Sequence, residues 1–416
     1  MSDKNAEKNP IHKNHHKAES TARHYGFNAF PGLAVEKQDI LKSKNFKDSK
    51  KTTFVDKDSA MSFDNLLEEK IAIMRAYIDK KMNDLHQPPM ISYSGPREGN
   101  PHAPEKSKIK TFNIDILSNA KSIADAIVIE TAYVILKEHL TDDSELLIEI
   151  NSIGDKDSFA KFTKDFVAFG KKRVADIPAE IKQAFKKDPF VLFTCKEEEC
   201  FALQEEAPKP MSYLSEVSRD HFREVLEYIE SLNLPYTINH SLIGSKHHSS
   251  GTVFQIVKLT DTGKVDANGE KKMKREIVAI GERYNTISKK AWGKKEVPAV
   301  GVTMLIDEKG VKTDKPAKAL VEEARFYFIQ LGYDAKLKSL SIIEMLRVAN
   351  IPVHQSLSRD KITSQLAAAE KLNVPYILLL GQKEAIENSV TVRHVQTRAQ
   401  ETVKLENLIE HLKKLK

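Results

Sequence analysis

The residues of this chain that most directly suggest covalent chemistry are His247-His248-Ser249-Ser250, because a serine becomes a nucleophile when a nearby imidazole takes its proton. Two considerations weigh against that use. Adjacent side chains of an extended segment point to opposite faces, and spacing alone identifies no acid to orient the imidazole. The alternative is a polar loop. His12, His15 and His16 have metal-ligating chemistry, but they sit in the first 20 residues, MSDKNAEKNPIHKNHHKAES, which read as a polar tail. Cys195 and Cys200 are the only cysteines. A C-x4-C pair offers two ligands where a structural zinc takes four, so no metal site is expected. So few cysteines also argue against a disulfide scaffold and fit a reducing cytoplasm. No phosphate-binding or dinucleotide-binding glycine pattern is present.

The 416 residues suffice for two or three domains, and 30% charged with 40% hydrophobic residues is the balance of a globular protein. No apolar run reaches 18 residues, so no transmembrane helix is expected, and the N-terminus lacks the apolar stretch of a secretory signal. The formal charge of +6 permits a polyanionic partner without demanding one. Lys/Arg clusters occur at 171–173, 271–275 and 289–295; each reads as a solvated face unless a partner covers it.

Apolar residues at helical spacing predict helices over 61–85, 121–139 and 219–232, and a mostly helical, proline-broken stretch over 155–215. Strands are expected at 147–154, 236–239, 251–259 and 277–280, the last two joined by a polar loop with an Asn-Gly turn at 268–269. This order fits a mainly antiparallel sheet backed by helices. After residue 324 the character changes to a βαβαββα pattern whose PYILLLG run reads as a buried central strand, which predicts a compact α/β domain.

Several segments resemble the class II histidyl-tRNA synthetase family. NHSLIGSKHHSSGTVFQI (239–256) resembles the family's NPRLVRGLDYYxxTVFEW, with Asn239, Leu242, Thr252, Val253 and Phe254 keeping the frame. INSIGDKDS (150–158) resembles the segment that introduces the helical insertion, 72–96 the run into motif 2, and PAVGVTM (298–304) the strand of motif 3. The segments LRVANIPV, SQLAAAEKLNVPYILLLGQKE and VTVRHVQTRAQETV resemble the anticodon-binding domain. The resemblance implies an α+β fold with a class II antiparallel sheet plus a C-terminal α/β domain. The expected divisions are a tail over 1–20, a core over 21–306 with an insertion at about 155–215, a linker over 307–323 and a domain over 324–416. It also implies a homodimer.

The residues that carry the family's chemistry depart from its pattern. The catalytic arginine of the histidine segment falls on Gly244 and its aspartate on His247. In motif 3 an acid, Glu308, stands near the arginine's place, and in motif 2 Arg97 and Glu98 are adjacent rather than spaced. The Arg-Pro-Glu-Gly-Thr pocket reads Leu66-Leu67-Glu68-Glu69-Lys70, and AGGRY reads AIGERY, with an extra residue before Arg283 and Tyr284. Asp115 lies where the family keeps an acid near the substrate. Forming an adenylate needs cations where charge builds on the α-phosphate. Each is worth roughly 2–4 kcal/mol, so losing three costs on the order of 10⁵-fold. Glu68, Arg75, Arg97, Asp115, Thr252, Arg283 and Tyr284 are therefore read as pocket remnants. Glu68 and Asp115 either keep a small polar pocket or pair with Arg75.

The resemblance thus implies a synthetase-like protein with little or no aminoacylation, one that binds tRNA, another structured RNA or a protein partner. Residues 326–416 hold 13 Lys/Arg against 9 Asp/Glu, and Lys361, Arg393, Arg398 and Lys404 are candidate phosphate contacts. The rival is a working histidine–tRNA ligase using ATP and magnesium, with Arg97, Lys106, Lys108, Lys110 or Lys246 as relocated cations. A third reading is a regulatory subunit for histidine biosynthesis, against which the retained C-terminal domain counts.

Overall fold

The computed structural model describes residues 10–46, 61–85, 87–94, 109–140, 142–195, 197–265, 269, 271–307, 324–356 and 359–415. An eight-stranded sheet forms the larger part, in the order β1-β2-β3-β8-β7-β6-β4-β5. Its strands are β1 (Asn28–Ala29), β2 (Met90–Ser94), β3 (Ile109–Leu117), β4 (Glu145–Ser152), β5 (Tyr236–Ile238), β6 (Ser250–Val265), β7 (Lys271–Arg283) and β8 (Ala299–Asp307). The pairs from β2 through β4 are antiparallel, while the edge pairs β1–β2 and β4–β5 are parallel.

Strand alternation sorts the two faces of this sheet. The row Ile150, Phe254, Gly281, Val302, Ile114 runs across five strands in register, flanked by Ile148, Ile256, Ala279, Met304 and Phe112. This apolar face packs on α4 (Ser122–His139), which is buried at 15 consecutive positions from Ser122 to Leu136. A helix covered all round has no polar stripe, as α4's near-continuous apolar sequence requires. The neighbouring row, Val253, Glu282, Gly301, Asp115, points the other way and is polar.

Helices α1 (Pro10–His24), α2 (Lys37–Ser43), α3 (Leu67–Asp79), α9 (Glu216–Ser231) and α10 (Ile287–Trp292) accompany this sheet. The expected tail over 1–20 is corrected in part: α1 begins at Pro10, because Ala18, Ala22 and the following Tyr25 give it a buried stripe. The expected polar loop between β6 and β7 is also corrected. The two strands run on as a ribbon to Val265 and from Lys271, pairing through Asp261–Met273 and Val265–Lys271. Backbone pairing there proceeds without apolar alternation.

Residues 156–207 form α5 (Lys156–Lys172), α6 (Ala179–Lys187), α7 (Val191–Thr194) and α8 (Glu198–Glu206) around a phenylalanine-rich cluster of their own. Cys195 and Cys200 are disulfide-bonded there with Cα atoms 6.0 Å apart, so the two cysteines make a local bridge where none was expected.

The C-terminal part is a five-stranded sheet in the order β10-β9-β11-β12-β13. Its strands are β9 (Phe326–Gln330), β10 (Val353–Gln355), β11 (Tyr376–Leu380), β12 (Ser389–His394) and β13 (Gln400–Lys404). Helices α11 (Tyr333–Val348), α12 (Ile362–Lys371), α13 (Gln382–Ile386) and α14 (Leu405–Lys414) cover it. Strand β13 and helix α13 were not foreseen. The expected linker lies largely outside the described residues.

Candidate functional site

The polar face of the large sheet brings most of the pocket candidates together, but it pairs them with partners inside the chain. Helix α3 lies over this face and buries Glu68, Glu69 and Lys70 in its first turn. Lys70 Nζ donates to Asp115 Oδ1 at 2.8 Å, with 1% of the lysine side chain and none of the aspartate exposed. Tyr284 Oη donates to the same oxygen at 2.8 Å, and Tyr93 Oη reaches Asp115 Oδ2 at 3.3 Å. The Lys70 ammonium also stands over the Tyr284 ring, 4.9 Å from its centroid. Burial, and then the surrounding carboxylates, push both tyrosine hydroxyls well above their ordinary range.

Gly301, opposite Asp115 in the β3–β8 register, is what leaves room for this pair. A Cβ there would meet Asp115 Oδ1 at 1.7 Å and Lys70 Nζ at 2.9 Å.

The other carboxylate and the two arginines are equally occupied. Glu68 accepts from Ser43 Oγ at 2.9 Å. Arg75 binds neither Glu68 nor Asp115, which corrects that pairing. Its guanidinium bonds Asp39 at 3.0 Å, Glu36 at 2.8 Å and the Ala34 carbonyl at 3.0 Å, because α2 packs alongside α3 and presents those acids. Arg283, 3% exposed, turns to the opposite side from Tyr284. It chelates Asp125 of α4 with Nε 2.9 Å from each carboxylate oxygen, and donates to the carbonyls of Asn119 and Lys121 at 3.1 and 2.9 Å. Burial opposes ionisation of Asp125, but the Arg283 guanidinium and then His221 hold its carboxyl well below the usual carboxylate range.

The segment 244–249 carries the histidine–serine candidates. Glu282, which spacing did not single out, supplies the missing acid. His248 Nε2 donates to Glu282 Oε1 at 2.8 Å, with both side chains fully buried. Ser249 Oγ donates to the other Glu282 oxygen. The carboxylate stands between the serine and the imidazole, so the imidazole does not take the serine's proton and the arrangement is not a nucleophile relay. His248 Nδ1 and Thr252 Oγ1 are buried without a hydrogen-bond partner among the described residues. Lys246 pairs with Asp188 at 3.0 Å, and Ser245 Oγ donates to Asp64 at 2.5 Å.

Gly244 has φ +61°, and a Cβ there would meet Ser249 Oγ at 2.5 Å and Val253 Cγ1 at 2.8 Å. A side chain at this position would be strained by conformation and crowded by Ser249 and Val253. Arg97, Lys106, Lys108 and Glu308 lie outside the described residues, as does the side chain of Lys110.

In the C-terminal sheet, Arg393 pairs with Gln400 and Ser389 with Lys404 across β12–β13. Residues four apart on a strand share a face, so Arg393 and Lys404 belong to one surface. Lys404 Nζ donates to the Glu387 carbonyl at 2.8 Å. Lys361 precedes α12, and Arg398, with φ +60°, sits in the β12–β13 turn.

Residues missed by sequence reasoning are Lys70, Tyr93, Glu282 and Gly301. Period-two alternation from Asp115 places Asn113 and Thr111 on its face, but cross-strand partners are visible only in the register.

Residues 327–415 match the family described as anticodon binding domain. Over 353 residues the chain is 28% identical to histidine–tRNA ligase of Halothermothrix orenii, covering 83% of this chain and 80% of that protein. It is 26% identical to the Bacillus subtilis protein of the same name, over 82% of this chain and 79% of that one. The solved structure of apo histidyl-tRNA synthetase from S. aureus shares the fold, with a TM-score of 0.51 and 18% identity over 99% of this chain and 98% of that one. Taken with the antiparallel sheet and the C-terminal α/β domain, these likenesses support membership in the class II histidyl-tRNA synthetase family.

Proposed function

We propose that this chain is a synthetase-like protein that does not aminoacylate and that acts by binding tRNA or another structured RNA through residues 324–416. One observation carries the reading: the described pocket remnants that bear charge are already paired inside the chain. Asp115 is held by Lys70, Glu68 by Ser43, Arg75 by Asp39 and Arg283 by Asp125. The described cations therefore do not fit a nucleoside triphosphate. A buried guanidinium or ammonium that left its carboxylate would strand an uncompensated charge, at a cost of about 3–5 kcal/mol. The crowding at Gly244 supports the same reading, since a side chain at the position matched to the family's catalytic arginine would be strained and would displace Ser249 or Val253.

The RNA partner is supported by the match of residues 327–415 to an anticodon binding domain and by the basic balance of that part. A homodimeric, cytoplasmic protein is part of the same proposal. Among the described residues no helix is long and apolar enough to cross a membrane.

The test is ATP- and histidine-dependent pyrophosphate exchange, with a tRNA mobility shift on the same sample. The expected result is no exchange above background together with a shift that weakens steeply as salt rises. Exchange would establish the rival, a working ligase using ATP and magnesium. Neither signal would overturn the RNA reading and leave a protein partner.

A further inference from the structure

A lysine whose ammonium is wholly removed from water is rare, because dehydrating the charge costs several kcal/mol unless a carboxylate and further polar groups replace the water. Lys70 is 0% exposed, and its surroundings are built to receive an ammonium. Asp115 supplies the charge at 2.8 Å, the Tyr284 ring supplies an aromatic face at 4.9 Å, and the hydroxyls of Tyr284 and Tyr93 fix the carboxylate. Gly301 supplies the clearance on the far side. These groups come from β2, β3 and β8 and from Tyr284 just past the end of β7, so the cage belongs to the fold and not to the lysine's own helix.

We infer that this space is a primary-ammonium binding site held shut by a tethered guest, the side chain of Lys70. Cutting the guest back opens the site to a free alkylammonium. Removing Lys70 beyond Cβ deletes three methylenes and an ammonium, which is the substance of n-propylammonium. In the intact chain the tether sets the effective concentration of the guest far above that of any free amine, so the site does not report amine or amino-acid levels. The inference rests on the reading that this face no longer works as a catalytic centre, and it narrows the partner to one bound elsewhere on the molecule.

Thermal unfolding of the full chain tests it, with Lys70→Ala, Lys70→Ala/Asp115→Asn and the wild type each scanned in n-propylammonium chloride, n-propanol and sodium chloride. The expected result is that Lys70→Ala melts several degrees below the wild type and recovers a substantial part of that loss in tens of millimolar propylammonium. Neither control solute restores it, and neither the double variant nor the wild type responds. No amine-specific rise in folded Lys70→Ala overturns the site, and an equal rise in the wild type overturns the closure. Should Lys70→Ala require a ligand to fold, folding on propylammonium alone supports the site and failure with it counts against. Pyrophosphate exchange by the wild type is a separate readout, so the loss of the catalytically silent reading is told apart from the loss of the cage.

Discussion

At the scale of single residues, charged groups that suggest a reaction centre serve here as struts. Arg283 ties the end of β7 to the first turn of α4 through Asp125 and two carbonyls. Replacing it by alanine leaves two carbonyls without the guanidinium and a buried carboxylate with only His221 Nε2, 3.1 Å away, as donor, so Arg283→Ala is expected to cost about 3–5 kcal/mol in urea unfolding. Lysine, with one compact charge, should recover only part of this. The acid limb carries a second signature. Asp125 titrates below its unfolded value in the folded chain, so its contribution is complete above the ordinary carboxylate range and is lost as pH falls through the folded value. Arg283→Ala should therefore flatten the acid limb. An unchanged slope would assign the low titration of Asp125 to His221 instead. None of this was legible in AIGERY, because the partner lies 158 residues earlier, on another element.

Elements were legible where burial writes a pattern. The apolar runs YILLL and SVTVRH appear as β11 and β12, and the helical spacing of 121–139 appears as α4. The ribbon of β6 and β7 beyond Leu259 was not legible, because Thr260, Lys272 and Lys274 carry no alternation when both faces meet water. The bridge between Cys195 and Cys200 was hidden for a different reason: α7 ends at Thr194 and α8 begins at Glu198, and only that turn sets the two Cα atoms 6.0 Å apart. A bridge closing so short a loop stabilises by about 2 kcal/mol. In a small cluster such as 156–207 that is enough to change local opening. Reduction by dithiothreitol, or Cys195→Ser, should speed proteolytic cleavage within 156–207 and leave cleavage elsewhere unchanged. Equal cleavage in both redox states would make the bridge incidental. The same local origin explains why the pocket was half legible: Glu68 and Asp115 stand out as acids, but their partners, the Ser43 hydroxyl and the Lys70 ammonium, follow from packing.

Across the whole molecule, α1 joins the two sheets. Tyr25 Oη donates to Glu344 of α11 at 2.5 Å and lies 3.4 Å from Glu130 of α4, while Gln355 Nε2 donates to the Tyr25 carbonyl at 2.9 Å. Arg347 of α11 bonds Glu138 of α4 at 2.5 Å and its neighbour Glu344 at 2.6 Å. His24 Nε2 donates to the Ile343 carbonyl at 3.1 Å. Burial, aided by Arg347 and opposed by Ile343 and Glu344, lowers His24 from 6.5 to about 4. A histidine kept neutral by folding contributes stability that is complete above pH 6.5 and is lost as pH falls toward 4. Glu130 acts with the opposite sign. Burial, and then Glu344, push its carboxyl well above its ordinary value, so its contribution is complete at low pH and is lost as pH rises. The two slopes oppose each other in the wild type and separate in variants. Between pH 7 and 4 the wild type should lose about 2 kcal/mol relative to His24→Gln, whose amide can still donate to Ile343. Relative to Glu130→Gln, the wild type should lose stability as pH climbs. Parallel curves in either comparison would remove that group from the joint. Because α1, α4 and α11 meet here, loosening the joint changes how the C-terminal domain is held against the large sheet. RNA affinity measured beside stability should then fall with His24 protonation at constant salt, whereas a domain that binds RNA without the core's support would show no such fall.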